Sequence, residues 1–240
     1  MKFGIIAAGE GSRLLQDGVD KPKPLVEING EPLIDRLLRI FCNCGAEEIC
    51  VVCNALTHQV SDHLEAMAIR GLENGKVPLR FEVKTTPSSM HTFAEISKMM
   101  GSDSKFIVTT VDTVFSEKRF VQYVDAFSSA LASDEADGLM GVTQYIEDEK
   151  PLYVDIDEST LAIKGFSDNP SSSYISAGIY GLTSRSFPTL QRCLERGESR
   201  MRNFQRALIA DGVRLRAFDM GKVIDIDHAS DITRAEEMTR

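Results

Sequence analysis

The chain has 240 residues, 42% of them hydrophobic and 26% charged, with a formal net charge of −9. That length suits one α/β domain able to bury roughly 70% of its unfolded surface. The negative balance argues against a nucleic-acid backbone as partner, because such proteins are usually basic. No apolar run approaches the ~20 residues of a membrane helix. The first apolar run is broken by Gly9, Glu10 and Arg13, leaving no signal-peptide core, so a cytoplasmic protein with no membrane partner is expected. Cys42, Cys44, Cys50, Cys53 and Cys193 are odd in number and lie in apolar segments, which suits reduced core thiols.

Phe3, Ile5, Ile6, Ala7 and Ala8 form a run ended by Gly9, the pattern of a buried strand feeding a loop. Gly9 and Gly11 have no Cβ, so the backbone there is free to turn its N–H groups inward and admit an anion. Ser12 and Arg13 follow at once. Lys21 and Lys23 come later, flanked by Pro22 and Pro24, which are expected to hold the backbone stiff and extended, with Lys21 solvated. Together these residues read as a polyphosphate cradle. A dinucleotide fingerprint is excluded, because Leu14 stands where its third glycine belongs and Asn54 where its acidic residue belongs. A P-loop is excluded because no Gly-Lys-Ser/Thr closes the loop.

A helix is predicted from Pro32 to about Cys44, then a strand over 48–53, in which Cys50 and Cys53 point to opposite faces and disfavour a zinc site. An amphipathic helix over 58–69 and a strand over 79–85 follow. Pro87, Ser88 and Ser89 read as a turn before a helix over 92–100. The strand at 105–111 ends at Asp112, on the edge where open α/β sheets bind ligands. A helix over 119–127, a strand over 137–145, short apolar stretches over 152–163 and a strand over 174–182 come next. Two helices (187–194, 203–209), a strand (214–218), the segment VIDIDHASDI and a last helix to Met238 complete the chain. The alternation predicts a mostly parallel, partly mixed sheet between helices, a Rossmann-like three-layer sandwich. One domain over 1–240 is expected, with a nucleotide-binding half (1–135) and an acceptor-binding half (136–240).

AAGEGSRL followed by KPKPLVEINGEPLI resembles the signature of the nucleotidyltransferases that make nucleotide sugars and related activated alcohols, a group that includes sugar-1-phosphate nucleotidylyltransferases and MobA-like NTP transferases. The resemblance implies the nucleotide-diphospho-sugar transferase fold. It also implies nucleotide contacts by Ala8, Gly9, Gly11, Ser12 and Arg13, and by Ser89 and His91, which sit where the family reads the base. This sequence has SSMHT there instead of the usual Gly-Thr-Ala, so the base stays open. Arg13 is expected to hold the leaving pyrophosphate and Lys23 the reacting α-phosphate.

Transfer of a nucleotidyl group calls for Mg²⁺, which favours carboxylate oxygens. Asp112 is the first candidate ligand. The second lies in VIDID, where Asp225 matches one family form and Asp227 another; Asp225 is preferred, Asp227 second. The implied reaction joins a nucleoside triphosphate to a small phosphorylated acceptor, first of all a sugar 1-phosphate. Asn169 stands where sugar-phosphate members carry a lysine. The alternative is therefore a CTP-dependent enzyme for phosphocholine or a phosphonate, whose amine would face Asp168 and tyrosines such as Tyr145. Tyr145, Asp168 and Gly178 are the candidate acceptor residues. A non-catalytic nucleotide-binding module is the remote alternative.

Overall fold

The computed structural model describes residues 1–102, 104–147 and 150–240. The chain opens with β1 (Lys2–Ala7), a short helix α1 (Ser12–Gln16), a one-turn 3₁₀ segment at Lys23–Leu25 and the two-residue strands β2 (Glu27–Ile28) and β3 (Glu31–Pro32). It continues through α2 (Leu33–Asn43), β4 (Glu48–Cys53), α3 (His58–Arg70), β5 (Leu79–Val83), α4 (Ser89–Met100), β6 (Lys105–Thr110), β7 (Thr113–Phe115) and α5 (Glu117–Ala132). The later elements are β8 (Gly138–Thr143), β9 (Tyr153–Ile156), β10 (Ile163–Ser167), β11 (Ile175–Thr183), α6 (Phe187–Glu195), α7 (Met201–Ala210), β12 (Leu215–Asp219), β13 (Val223–Asp225) and α8 (Ala229–Met238).

β5, β4, β1 and β6 lie side by side and parallel. β11 joins β6 antiparallel, β8 joins β11 antiparallel, and β12 runs parallel to β8. β9 and β10 add an antiparallel extension at the start of β11. The result is the mixed α/β sandwich expected, with strands from both sides of residue 135 in one sheet.

Period-two alternation divides the core. Phe3, Ile5 and Ala7 face one side of the sheet with α2 and α5, while Ile6, Cys50 and Val52 face the other with α4, α6 and α7. Cys50 and Cys53 accordingly fall on opposite faces, and burial pushes both thiols up to about 11. On the first face the fully buried Phe120 stacks on Phe41 and Phe115 at 5.5 and 4.8 Å between ring centroids.

Several boundaries differ from expectation. α4 starts at Ser89 rather than Thr92, so Ser88 and Ser89 belong to the helix start and not to a separate turn. α5 starts earlier because the Ser116 hydroxyl caps it by accepting from the Arg119 N–H. Lys23 opens a 3₁₀ turn, with the Leu25 N–H donating to Pro22 O, so its backbone is not extended as the flanking prolines suggested. β7 and β13 pair antiparallel, a contact between residues 113–115 and 223–225 that no local pattern announces.

No helix among the described residues is long and apolar enough to cross a membrane. Phe120→Ala is expected to lower stability by about 3–5 kcal/mol, the usual cost of emptying a closed aromatic site; urea denaturation at neutral pH measures it.

Candidate active site

β1, β4, β5 and β6 all end on one edge, and the loops that leave β1, β5 and β6, together with Lys23, line a cavity of about 390 Å³. Ala8, Gly9, Glu10 and Gly11 line it from β1, Thr86 to Ser89 from the segment after β5, and Thr110 to Asp112 from the end of β6. That volume suits a nucleotide-sized ligand.

Asn54, buried after β4, shapes the wall. Its amide donates to Ala8 O at 3.0 Å, and its side-chain oxygen accepts from Thr85 Oγ1 and the Leu56 N–H, each at 2.9 Å. Gly11 has φ +64°, and a Cβ there would lie 3.1 Å from Lys23 Cβ. Both the left-handed turn and the close packing of the lysine segment therefore need glycine. Gly9 has open space around its Cα and no positive φ, so it contributes clearance rather than an unusual backbone shape.

The polar centre is a row of four charges. Lys23 Nζ is 2.7 Å from Asp112 Oδ2 and 2.7 Å from Asp227 Oδ1, and Asp227 Oδ2 accepts from Arg13 Nη1 at 2.8 Å. The fold brings these residues together by main-chain contacts. The Val111 N–H donates to Ile6 O, and the Ile226 N–H to Asp112 O. Asp231 Oδ2 accepts from the N–H groups of Asp227 and His228, while Asp17 at the end of α1 accepts from the Ala229 N–H. Burial alone pushes the Lys23 ammonium down, but Asp112 and then Asp227 outweigh it and hold it above an ordinary lysine. For Asp112 burial is again the largest influence and pushes the carboxyl up, yet Lys23 holds it below the usual aspartate value.

A second cavity of about 200 Å³ adjoins the other end of this row. Its lining includes Arg13, Tyr145, Glu147, Ser176, Asp225, Asp227 and Arg234. Asp225, the preferred metal candidate, ends β13 and accepts from Thr113 Oγ1 at 2.9 Å, and Thr113 shares a 2.6 Å hydrogen bond with Thr110. It is Asp227, the second choice, that converges with Asp112 on a single nitrogen, that of Lys23. The chain turns just after Asp225, the Asp227 N–H donating to Asp225 O, so strict strand alternation does not describe the pair.

Other expected positions fall differently. Ser12 is exposed at the start of α1 and lines neither cavity. Ser89 lines the larger cavity, but His91 points to a different surface cavity and shares a 2.9 Å hydrogen bond with Ser88 Oγ. Gly178 sits at an irregularity of β11 with φ +69°, and a Cβ there would come within 2.9 Å of Thr113 Oγ1; close packing is what it serves. Tyr145 does line the smaller cavity, with Lys222 Nζ 4.5 Å from its ring centroid. Asp168 lines neither cavity and is paired with Arg202 and Arg206. Lys21 is exposed and pairs with Glu27, as a solvated lysine should.

Asn54 and Arg234 carried no expected role. Arg234 pairs with Glu147 and Asp231, and its Nε is buried without a partner among the described residues.

Residues 4–211 match the MobA-like NTP transferase domain. The chain belongs to that family. Among curated relatives, the UTP–glucose-1-phosphate uridylyltransferase AglF of Haloferax volcanii is 24% identical over 99% of this chain and 96% of its own length. The bifunctional protein GlmU of Methanocaldococcus jannaschii is 23% identical over 94% of this chain. The chain spans about half the length of that protein and of the other GlmU relatives it matches. Solved structures show the same fold. The inositol-1-phosphate CTP transferase of T. maritima superposes with a TM-score of 0.76 at 18% identity, covering 100% of this chain and 97% of that one. The UTP-bound UGPase of Acinetobacter baumannii gives 0.76 at 18% identity, covering 99% and 92%.

Because Asp112 is held ionised by Lys23, its pairing contributes stability above pH ~4 that is lost as pH falls through its lowered folded value. Asp112→Asn is therefore expected to cost about 1–3 kcal/mol at pH 7. The gap from wild type should narrow on acidification below pH 4, as read by urea denaturation across pH.

Proposed function

We propose that this protein transfers a nucleotidyl group from a nucleoside triphosphate to a sugar 1-phosphate, releasing pyrophosphate. The observation that carries the proposal is the position of the Lys23–Asp227 ion pair between two cavities: Lys23 and Asp112 line the larger, Arg13 and Asp227 the smaller. A reaction between two bound ligands takes place where their cavities meet, and there the chain presents cations for phosphate and carboxylates for a metal.

In this scheme the backbone at Gly9 to Gly11 faces the triphosphate. Lys23, a compact charge, meets the α-phosphate and offsets charge developing as the acceptor oxygen attacks in line. Arg13 forks onto the leaving pyrophosphate. The acceptor's phosphate is already ionised near neutral pH, so no general base is assigned.

The donor set suits Mg²⁺. Two aspartate oxygens converge, while no group of three or more metal-ligating His, Cys, Asp or Glu side chains occurs among the described residues. Mg²⁺ commonly takes one or two carboxylates and completes its shell with water and substrate phosphates. Asp112 and Asp227 would hold it, and the ion would neutralise charge on the triphosphate.

For the acceptor, the smaller cavity offers carboxylates, Ser176 and two arginines, groups suited to sugar hydroxyls and a phosphate. Arg234 stands in for the cation missing at Asn169. The amine-bearing alternative needs an open aromatic face and an unpaired carboxylate. Its two named groups have other partners, Tyr145 with Lys222 against its ring and Asp168 with two arginines. The alignment with the uridylyltransferase AglF over nearly all of both chains also supports a sugar 1-phosphate.

The test is pyrophosphate release with Mg²⁺ for each NTP against a panel of sugar 1-phosphates, phosphocholine and aminoalkylphosphonates. Release with a sugar 1-phosphate is expected; release only with CTP and an amine-bearing acceptor, or none at all, would overturn the assignment. Lys23→Ala should lower kcat by about 10²–10³-fold, the usual cost of removing one transition-state donor.

A further inference from the structure

Lys23 is more than a ligand for phosphate. Its side chain is 11% exposed and its nitrogen touches Asp112 Oδ2 and Asp227 Oδ1 at 2.7 Å each. The two oxygens therefore lie at most twice 2.7 Å, or 5.4 Å, apart. A Mg²⁺ ion joined directly to both would draw them to within about 4.2 Å of each other, on the ground the ammonium already holds. Two cations cannot share that space, because their repulsion at contact distance in a partly buried site is large. The row Arg13–Asp227–Lys23–Asp112 is moreover neutral as it stands, two charges of each sign.

We infer that Lys23 is the resident counter-ion of the cation site: its ammonium and a divalent ion compete for Asp112 and Asp227, and the ion enters only when an anion draws Lys23 aside. That the anion is the triphosphate rests on the function proposed above; the competition itself does not. Lys23 lines the larger cavity beside Gly9 and Gly11, so an anion held there lies within reach of its ammonium.

The experiment is a titration of Mn²⁺ alone into the nucleotide-free protein, followed by calorimetry or by the EPR signal of free Mn²⁺. Wild type should bind weakly. Lys23→Met should bind at least roughly tenfold more tightly, having lost the competing charge, whereas Lys23→Arg, which keeps it, should stay as weak as wild type. Adding Asp112→Asn to Lys23→Met should abolish the gain. If Lys23→Met does not fold, as judged by circular dichroism, Lys23→Gln makes the same comparison with a polar head. Equal affinity of wild type and the folded neutral variant, or a gain that survives Asp112→Asn, would overturn the inference. No nucleotide or acceptor enters the titration, so a failure of nucleotidyl transfer leaves this result standing.

Discussion

The structure turns on the contact of one ammonium with two carboxylates. Asp112 lies in the turn between β6 and β7 and Lys23 is largely enclosed, and neither charge would be tolerated there alone, since a buried unpaired ion costs several kcal/mol. The surrounding architecture meets this requirement. Gly11 lets the lysine segment pack against the first loop, the β7–β13 pairing brings the chain's end beside Asp112, and Asp231 fixes the turn that aims Asp227. Each device is modest; together they let a desolvated charge pair persist.

The sheet was legible because its strands are short apolar runs bounded by glycine, proline or charge, and because burial on both faces suppresses polar residues in β1, β4 and β6. The larger cavity was legible for a related reason: an α/β crossover leaves loops at the carboxyl ends of the strands, and the glycines mark the loop after β1 that lines it. Sequence pattern also separated Cys50 from Cys53. What it did not carry was any pairing made at long range. β7 and β13 are three residues each and have no periodicity of their own. Their strand geometry comes from each other across 108 to 112 residues of chain, as the register of Phe115 with Val223 and Thr113 with Asp225 shows.

The same limit applies to individual side chains. Asp225 and Asp227 are chemically identical, and only the turn after β13 assigns one to Thr113 and the other to Lys23. Asp168 suited an amine by charge, but α7 presents Arg202 and Arg206 to it. His91 follows Ser88 and Ser89, yet on α4 its ring lines a different surface cavity while bonding Ser88 on the wall of the larger one. A sequence states which interactions a residue is capable of making. Which one it makes depends on what the fold sets opposite it.

Asp112 and Lys23 are separated by 89 residues and Asp227 from Lys23 by 204, so the first half of the chain can form the ion pair but cannot complete the row. The second carboxylate, and the Ile226 N–H that holds Asp112 O, arrive only with the last elements. Those same elements bring Asp225, Asp227 and Arg234 to the smaller cavity, while Ser176 and Ala177 come to it from β11. A segment that closes the charge row therefore also closes the second cavity. This couples the two structurally: part of the wall of the smaller cavity and the counter-charge of Lys23 in the larger one are one short stretch of backbone between β13 and α8, and a change that shifts either must shift the other.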